Sequence, residues 1–277
     1  MMRSAVAAAA SVVLLAVGGC ASGSSTNGTS GEPGGNVVLA TTTSTRDSGL
    51  LDVLIPLFDK SSKCVVKTVA VGSGQALEMG QRGDADVLLV HSPDAERTYM
   101  AGGHGLSRKA VMHNDFVVVG PPGDPAGIKG ASSAAAAMRR IAQHKATFAS
   151  RGDDSGTNAK ELSLWQDAGV KPKGSWYIET GQGMGETLTI ADQKQAYTLS
   201  DRGTFLATHG LHSVIEFQGS PDLRNNYHVI VVKHAGTNTG CARAFSSWIR
   251  SRSTQQTIAH FGLKKYGQHL FVPDAIK

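Results

Sequence analysis

Charge is scarce in this sequence: Asp, Glu, Lys and Arg make up 18% of 277 residues. With hydrophobic residues at 40%, that balance excludes a disordered chain beyond the N-terminal tail and provides for a substantial core. Basic residues exceed acidic ones, 27 to 22, yet they form no dense run. Aromatics are only 6% and do not interleave with them. This excludes a nucleic-acid surface and leaves a weak preference for anions, beside the plain reading of an ordinary solvated surface. Cysteine is limited to three residues without the paired spacing of a zinc site. The G-x-S-x-G elbow, the H-E-x-x-H helix and the G-x-x-x-x-G-K-[ST] loop are all missing. Serine hydrolysis, local zinc catalysis and P-loop nucleotide binding therefore have no signature. No period of roughly 20–50 residues suggests a repeat fold. The ten histidines are dispersed, and the "RGD" at 151–153 is too short a match to carry an adhesion reading.

What is present starts at the N-terminus. Arg3 precedes the apolar run "AVAAAASVVLLAV", and "VGGC" follows. This reads as an export signal over 1–20 that ends in a lipobox, with the Cys20 thiol taking a lipid. A signal cut elsewhere, or a short membrane helix, are the competing readings. The run is short for a bilayer span. Residues 21–36, "ASGSSTNGTSGEPGGN", are rich in Gly, Ser and Thr and read as a flexible tether. The other two cysteines, Cys64 and Cys241, would pair as a disulfide in an oxidising compartment. Two buried free thiols fit the sequence equally well.

Strand and helix patterns alternate along the rest of the chain, which predicts α/β architecture with mainly parallel sheets. The 33 glycines point to tight turns and close backbone approaches. One regularity stands out. Predicted strands end in clusters that open helices: "TTTST", "VGSGQ", "RGDDSGT" and "GQGMG". In open α/β sheets ligands bind beyond the carboxyl ends of strands. Helix N-termini there present bare N–H groups and a positive dipole end. Each Ser or Thr has a plain alternative as a helix cap. The cluster at 150–157 adds an arginine. Hydroxyls, amides and one guanidinium suit a small tetrahedral dianion, which needs donors and few acceptors. Such bonds contribute roughly 1.5–3 kcal/mol each. About seven would support nanomolar binding, near −12 kcal/mol, after entropy and desolvation losses.

The pattern Arg151-x-x-x-Ser155-Gly156-Thr157 resembles the anion loop of periplasmic phosphate-binding proteins. A longer series covers almost the whole chain after residue 37: "ATTTSTRDSGLLDVLIPLFDK", "AVGSGQAL", "GDADVLLVHSPDAE", "NDFVVVGP", "DPAGIKG", "SRGDDSGT", "KELSLW", "TGQGMGETL" and "AYTLSDRGTF". Together these resemble tungstate-binding proteins of ABC importers, relatives of the molybdate- and sulfate-binding proteins. The resemblance implies a type II, two-lobe clamp. Residues 37–116 plus 226–277 would form lobe one, and 117–225 lobe two, with hinges near "DFVVVGP" and "NNYHVIVV". It places Thr43, Ser44 and Ser73 as donors from lobe one, and Arg151, Ser155, Gly156 and Thr157 from lobe two. Gly183, Met184 and Gly185 would add a backbone N–H. Asp153 would orient Arg151, unless Asp153 or Asp154 caps the next helix.

One departure from the phosphate-binding relatives matters. They place an aspartate after the third strand to accept a proton from bound phosphate. Here His91 in "LLVHSP" stands at that place, with Asp94 nearby. This favours a proton-free oxyanion. The expectation is thus a lipid-anchored, extracytoplasmic, monomeric binding protein. It would need no cofactor and would deliver tungstate to an ABC permease. Molybdate is the alternative ligand. A secreted phosphoester hydrolase or transferase and a lipid-anchored sensor are the alternatives from other classes.

Overall fold

The computed structural model describes residues 33–276. The expected export signal, Cys20 and most of the expected tether lie outside the described residues. The chain order is β1 (Gly34–Thr42), α1 (Thr43–Asp47), α2 (Leu50–Ser61), β2 (Lys63–Val71), α3 (Ser73–Arg82), β3 (Val87–Val90), α4 (Pro93–Ala101) and β4 (Gly105–Gly120). There follow α5 (Ala134–His144), β5 (Phe148–Ser150), α6 (Gly156–Asp167), β6 (Tyr177–Glu179), α7 (Met184–Gln193), β7 (Thr198–Asp201), α8 (Arg202–Ala207) and β8 (Val214–Phe217). The chain closes with β9 (Arg224–Val232), α9 (Thr239–Ile249), α10 (Arg252–His260), α11 (Leu263–Tyr266) and β10 (Val272–Pro273). Among the described residues, no helix is long and apolar enough to cross a membrane.

The first sheet has the order β10-β4-β9-β3-β1-β2. β1 runs parallel to β2 and β3, while β9 is antiparallel to both β3 and β4. The far end of β4 leaves this sheet and pairs antiparallel with β7 and β8 in the second half. There β5 and β6 pair in parallel, and Phe148 bridges to Tyr197. The sheets are therefore mixed, not mainly parallel as expected. The reason is that β4 and β9 pass in opposite senses, and an apolar run does not encode its direction.

Burial explains the layering. In β3 all four residues are buried; Val87 and Leu89 face one core, Leu88 and Val90 the other. A strand covered on both faces reads as a continuous apolar run. The end of β4 repeats this in the second half. Phe116 and Val118 join Ile141, Phe148, Trp165 and Tyr197, while Val117 and Val119 pack on Met184 and Leu188. The serines and the aspartate that precede α5, α6, α8 and α10 each accept from a first-turn N–H of their helix.

The tether expectation over 21–36 needs a correction. Gly34, Gly35 and Asn36 already belong to β1, in register with Lys63, Cys64 and Val65. The Asn238 amide donates to the carbonyls of Gly34 (3.2 Å) and Asn36 (3.0 Å). Ladder bonds and a side-chain amide satisfy this stretch, so it needs no apolar residues. Cys64 and Cys241 form a disulfide here, with Cα atoms 5.7 Å apart. Of the two readings left open by the sequence, the bridge is the one realised.

Candidate anion-binding site

The four Gly/Ser/Thr clusters come together. Thr43 and Ser44 open α1 at the end of β1, and Ser73 opens α3 after β2. From the second half, Ser155 caps α6, whose first residues are Gly156 and Thr157. Gly183 precedes α7, which begins with Met184 and Gly185.

Arg151 links the two halves. It follows β5 and is only 2% exposed. Its Nη2 donates to Thr43 Oγ1 at 3.2 Å and its Nη1 to Ser44 Oγ at 3.5 Å. Nε donates to the Gln182 carbonyl, and Nη2 also pairs with Asp153. Asp153 accepts in addition from the Ser155 N–H (3.2 Å). It thus orients the guanidinium and shapes the loop, while Ser155 caps α6 through Asn158 N at 3.2 Å. The Ser155 hydroxyl accepts in that bond and keeps its own hydrogen to give. Behind the loop, buried Glu161 accepts from Ser150 Oγ (2.6 Å), Trp165 Nε1 (2.9 Å) and the Tyr177 hydroxyl (2.8 Å). That fixes the end of β5 from which Arg151 projects.

The two glycines of "SRGDDSGT" have separate reasons. Gly152 has φ +57°, a conformation that side chains resist, and it lies against Glu179. Gly156 meets the opposite half so closely that a methyl group there would stand 2.9 Å from both Ser73 Oγ and His91 Nδ1.

At this junction Ser73 Oγ, Thr157 Oγ1 and His91 Nδ1 are buried and find no hydrogen-bond partner among the described residues. Buried polar groups are normally paired, so such a cluster marks a place for a ligand. His91 follows β3, and its Nε2 lies 3.0 Å from Thr42 Oγ1. Burial, aided by the Arg151 charge, pushes the imidazole down to about 3, so it is neutral at physiological pH.

Met184 is placed differently from the other site residues. Its side chain lies in the core with Val117, Val119 and Leu188, which leaves only its backbone N–H for a ligand. Gly183 approaches Thr43, and Gly185 approaches Asp47.

Sequence reasoning missed Asp201. This residue ends β7, caps α8 through Thr204 N at 2.8 Å, and is fully buried. The signal was available: "SDRGT" is a fifth strand end that opens a helix with glycine and a hydroxyl.

A PBP superfamily domain matches residues 22–253. The chain belongs to the PBP superfamily. Among its relatives in this superfamily is the tungstate-binding protein TupA of Peptoclostridium acidaminophilum. It is 49% identical over 249 residues, which cover 87% of this chain and 86% of the relative. TupA of Campylobacter jejuni is 43% identical over 241 residues, 84% of this chain and 88% of that one. The solved structure of the tungstate ABC transporter from Geobacter sulfurreducens superposes with a TM-score of 0.74 at 46% identity, covering 82% of this chain and 98% of the other. The PBP-like α/β fold is thereby the fold of this chain, with the four clusters and Arg151 drawn together within it.

Proposed function

We propose that this protein captures a proton-free tetrahedral oxyanion between its two halves, tungstate first and molybdate second, and delivers it to an ABC permease. The observation that carries this reading is the set of buried, unpaired atoms Ser73 Oγ, Thr157 Oγ1 and His91 Nδ1 beside buried Arg151. The N-termini of α3, α6 and α7 add bare N–H groups from Ser73, Gly156, Thr157 and Met184. Thr43, Ser44 and Ser155 complete the donor set. Similarity to tungstate-binding relatives at 43–49% identity supports the choice of ion.

The protonation state of the site supports the choice of a fully deprotonated ligand. After β3 the chain presents a neutral imidazole instead of a carboxylate. In the tautomer whose Nε2 accepts from the Thr42 hydroxyl, Nδ1 carries the ring hydrogen and is free to donate to the anion. Hydrogen phosphate would bring a proton to a donor and lose a partner. Competitive titration calorimetry with tungstate, molybdate, sulfate and phosphate tests this. Tungstate and molybdate are expected to bind tightest, sulfate more weakly because its S–O bonds are shorter, and phosphate weakest. Phosphate displacing tungstate at equal concentration would overturn the reading.

The extracytoplasmic location is supported by the family, and lipid anchoring by the N-terminal sequence alone. Cys20→Ser is expected to move the protein from the membrane fraction to the soluble fraction. Unchanged membrane association of that variant would contradict anchoring at Cys20.

A further inference from the structure

An anion trap has little use for a buried carboxylate without an ion pair among the described residues, yet Asp201 is one. Among the charged groups at the junction are Arg151 and Arg202 with the carboxylates Asp153, Asp115 and Asp201, besides Asp47 against Gly185 and Glu186 against Gly183. Asp153 pairs with Arg151, and Asp115 with Arg202. Asp201 is left over. Its Oδ1 accepts from Thr204 N at 2.8 Å, and its Oδ2 is buried with no hydrogen-bond partner of good geometry among the described residues. Ser44 is held beside it, its carbonyl accepting from Thr204 Oγ1 at 3.1 Å.

The other groups that face it do not resolve the imbalance. Tyr227, from β9, keeps its phenolic proton, held well above its ordinary value by burial and by the charge of Asp201. His91, from β3, is neutral. A dianion entering here would therefore meet an excess negative charge at Asp201, in a place where water screens little.

Ser44 makes the same point in hydrogen bonds. Its oxygen already accepts from Arg151 Nη1. An ionised Asp201 would draw the single Ser44 hydrogen to itself and away from the ligand. A protonated Asp201 would donate to Ser44 Oγ instead and release the Ser44 hydrogen toward the anion.

We infer that Asp201 takes up one proton from solvent as the oxyanion enters, so that capture of the dianion is coupled to proton binding and Ser44 becomes a donor only then. The inference rests on the oxyanion reading above. Asp201 acts here as a positioning residue, through Ser44. Burial already pushes its carboxyl up to about 6 in the free protein. A dianion nearby raises it further. The folded protein thus holds this proton more tightly than the unfolded chain. On this account stability is greatest below the ordinary aspartate value and declines as pH rises through about 6. Affinity for the anion follows the same sense, weakening as pH climbs above that value.

Calorimetric titration with sodium tungstate at pH 7.5, in two buffers of unlike ionisation enthalpy, reads the proton count directly. The wild type is expected to take up about one proton per ion, and its Kd to rise by about tenfold per pH unit between pH 6.5 and 8.5. Asp201→Asn retains the cap of α8, since Asn caps as well as Asp, and its amide mimics the neutral acid. This variant is expected to take up almost no proton, to bind with a Kd flat in pH, and at pH 8.5 to bind no more weakly than the wild type. His91→Gln is expected to keep the proton uptake, which separates Asp201 from the nearby imidazole. Tungstate binding without proton uptake, or equal uptake by D201N, would overturn this inference alone. Absence of binding heat for both tungstate and molybdate would overturn the oxyanion reading and this inference with it.

Discussion

Arg151→Ala is expected to weaken tungstate binding on the order of 10²–10³-fold, more than removal of any single hydroxyl of the site. Three losses coincide. The guanidinium reaches both halves, through Thr43 and Ser44 on one side and its own loop on the other. Its departure strips Asp153 of its counter-charge, and breaking a buried pair costs about 3–5 kcal/mol. The ligand also loses a charged, two-pronged donor that lysine does not reproduce. A single hydroxyl such as Ser73 or Thr157 contributes roughly 1.5–3 kcal/mol toward a charged ligand. Titration calorimetry on Arg151→Ala, Ser73→Ala and Thr157→Ala gives the ranking. An affinity for Arg151→Ala within twofold of the wild type would refute the placement of the anion at this loop.

The second large effect concerns stability and leaves the site untouched. Replacing both Cys64 and Cys241 by alanine is expected to lower the unfolding free energy by about 5 kcal/mol. The bridge joins residues 177 positions apart, and the entropy that it removes from the unfolded chain grows with the logarithm of that loop. A protein of this kind has about 5–15 kcal/mol of stability in all, so the change is a large part of the whole. Urea titration of the wild type, with and without reductant, and of C64A/C241A measures it. Tungstate affinity is expected to stay within twofold. The bridge sits at the Gly35 end of β1 and the site at the Thr42 end, about 23 Å away at the rise of a strand. A stability loss below about 1 kcal/mol would contradict the loop-entropy account.

The order of elements and the grouping of the candidate site could be read from residues. Apolar runs such as "VLLV" announced buried strands, and hydroxyl-rich clusters after them announced helix starts. Arg151 within such a cluster pointed to the charge of the ligand. What could not be read depends on distant partners. The direction of β4 and β9 is fixed by their pairing across the chain, so the mixed sheets were invisible locally. Gly34–Asn36 looks like linker in composition, and only Asn238 and the Cys64–Cys241 region make it strand. Asp201 before a helix reads as an ordinary cap. Its unpaired Oδ2 and its nearness to Ser44 and Arg151 exist only after β7, α8 and α1 have packed.

The exchange of partners along β4 dictates the order in which the molecule can be assembled as the chain emerges from its N-terminus. β1, β2 and β3 emerge early, but β3 completes its second edge only with β9, where Val87 meets Val231. Everything from α5 to β8 is synthesised in between and can close around its own apolar centre first. The earliest strands therefore wait, half-finished, for nearly the last ones, a long-range closure of the kind that slows folding. The covalent lock comes later still, because Cys241 follows β9.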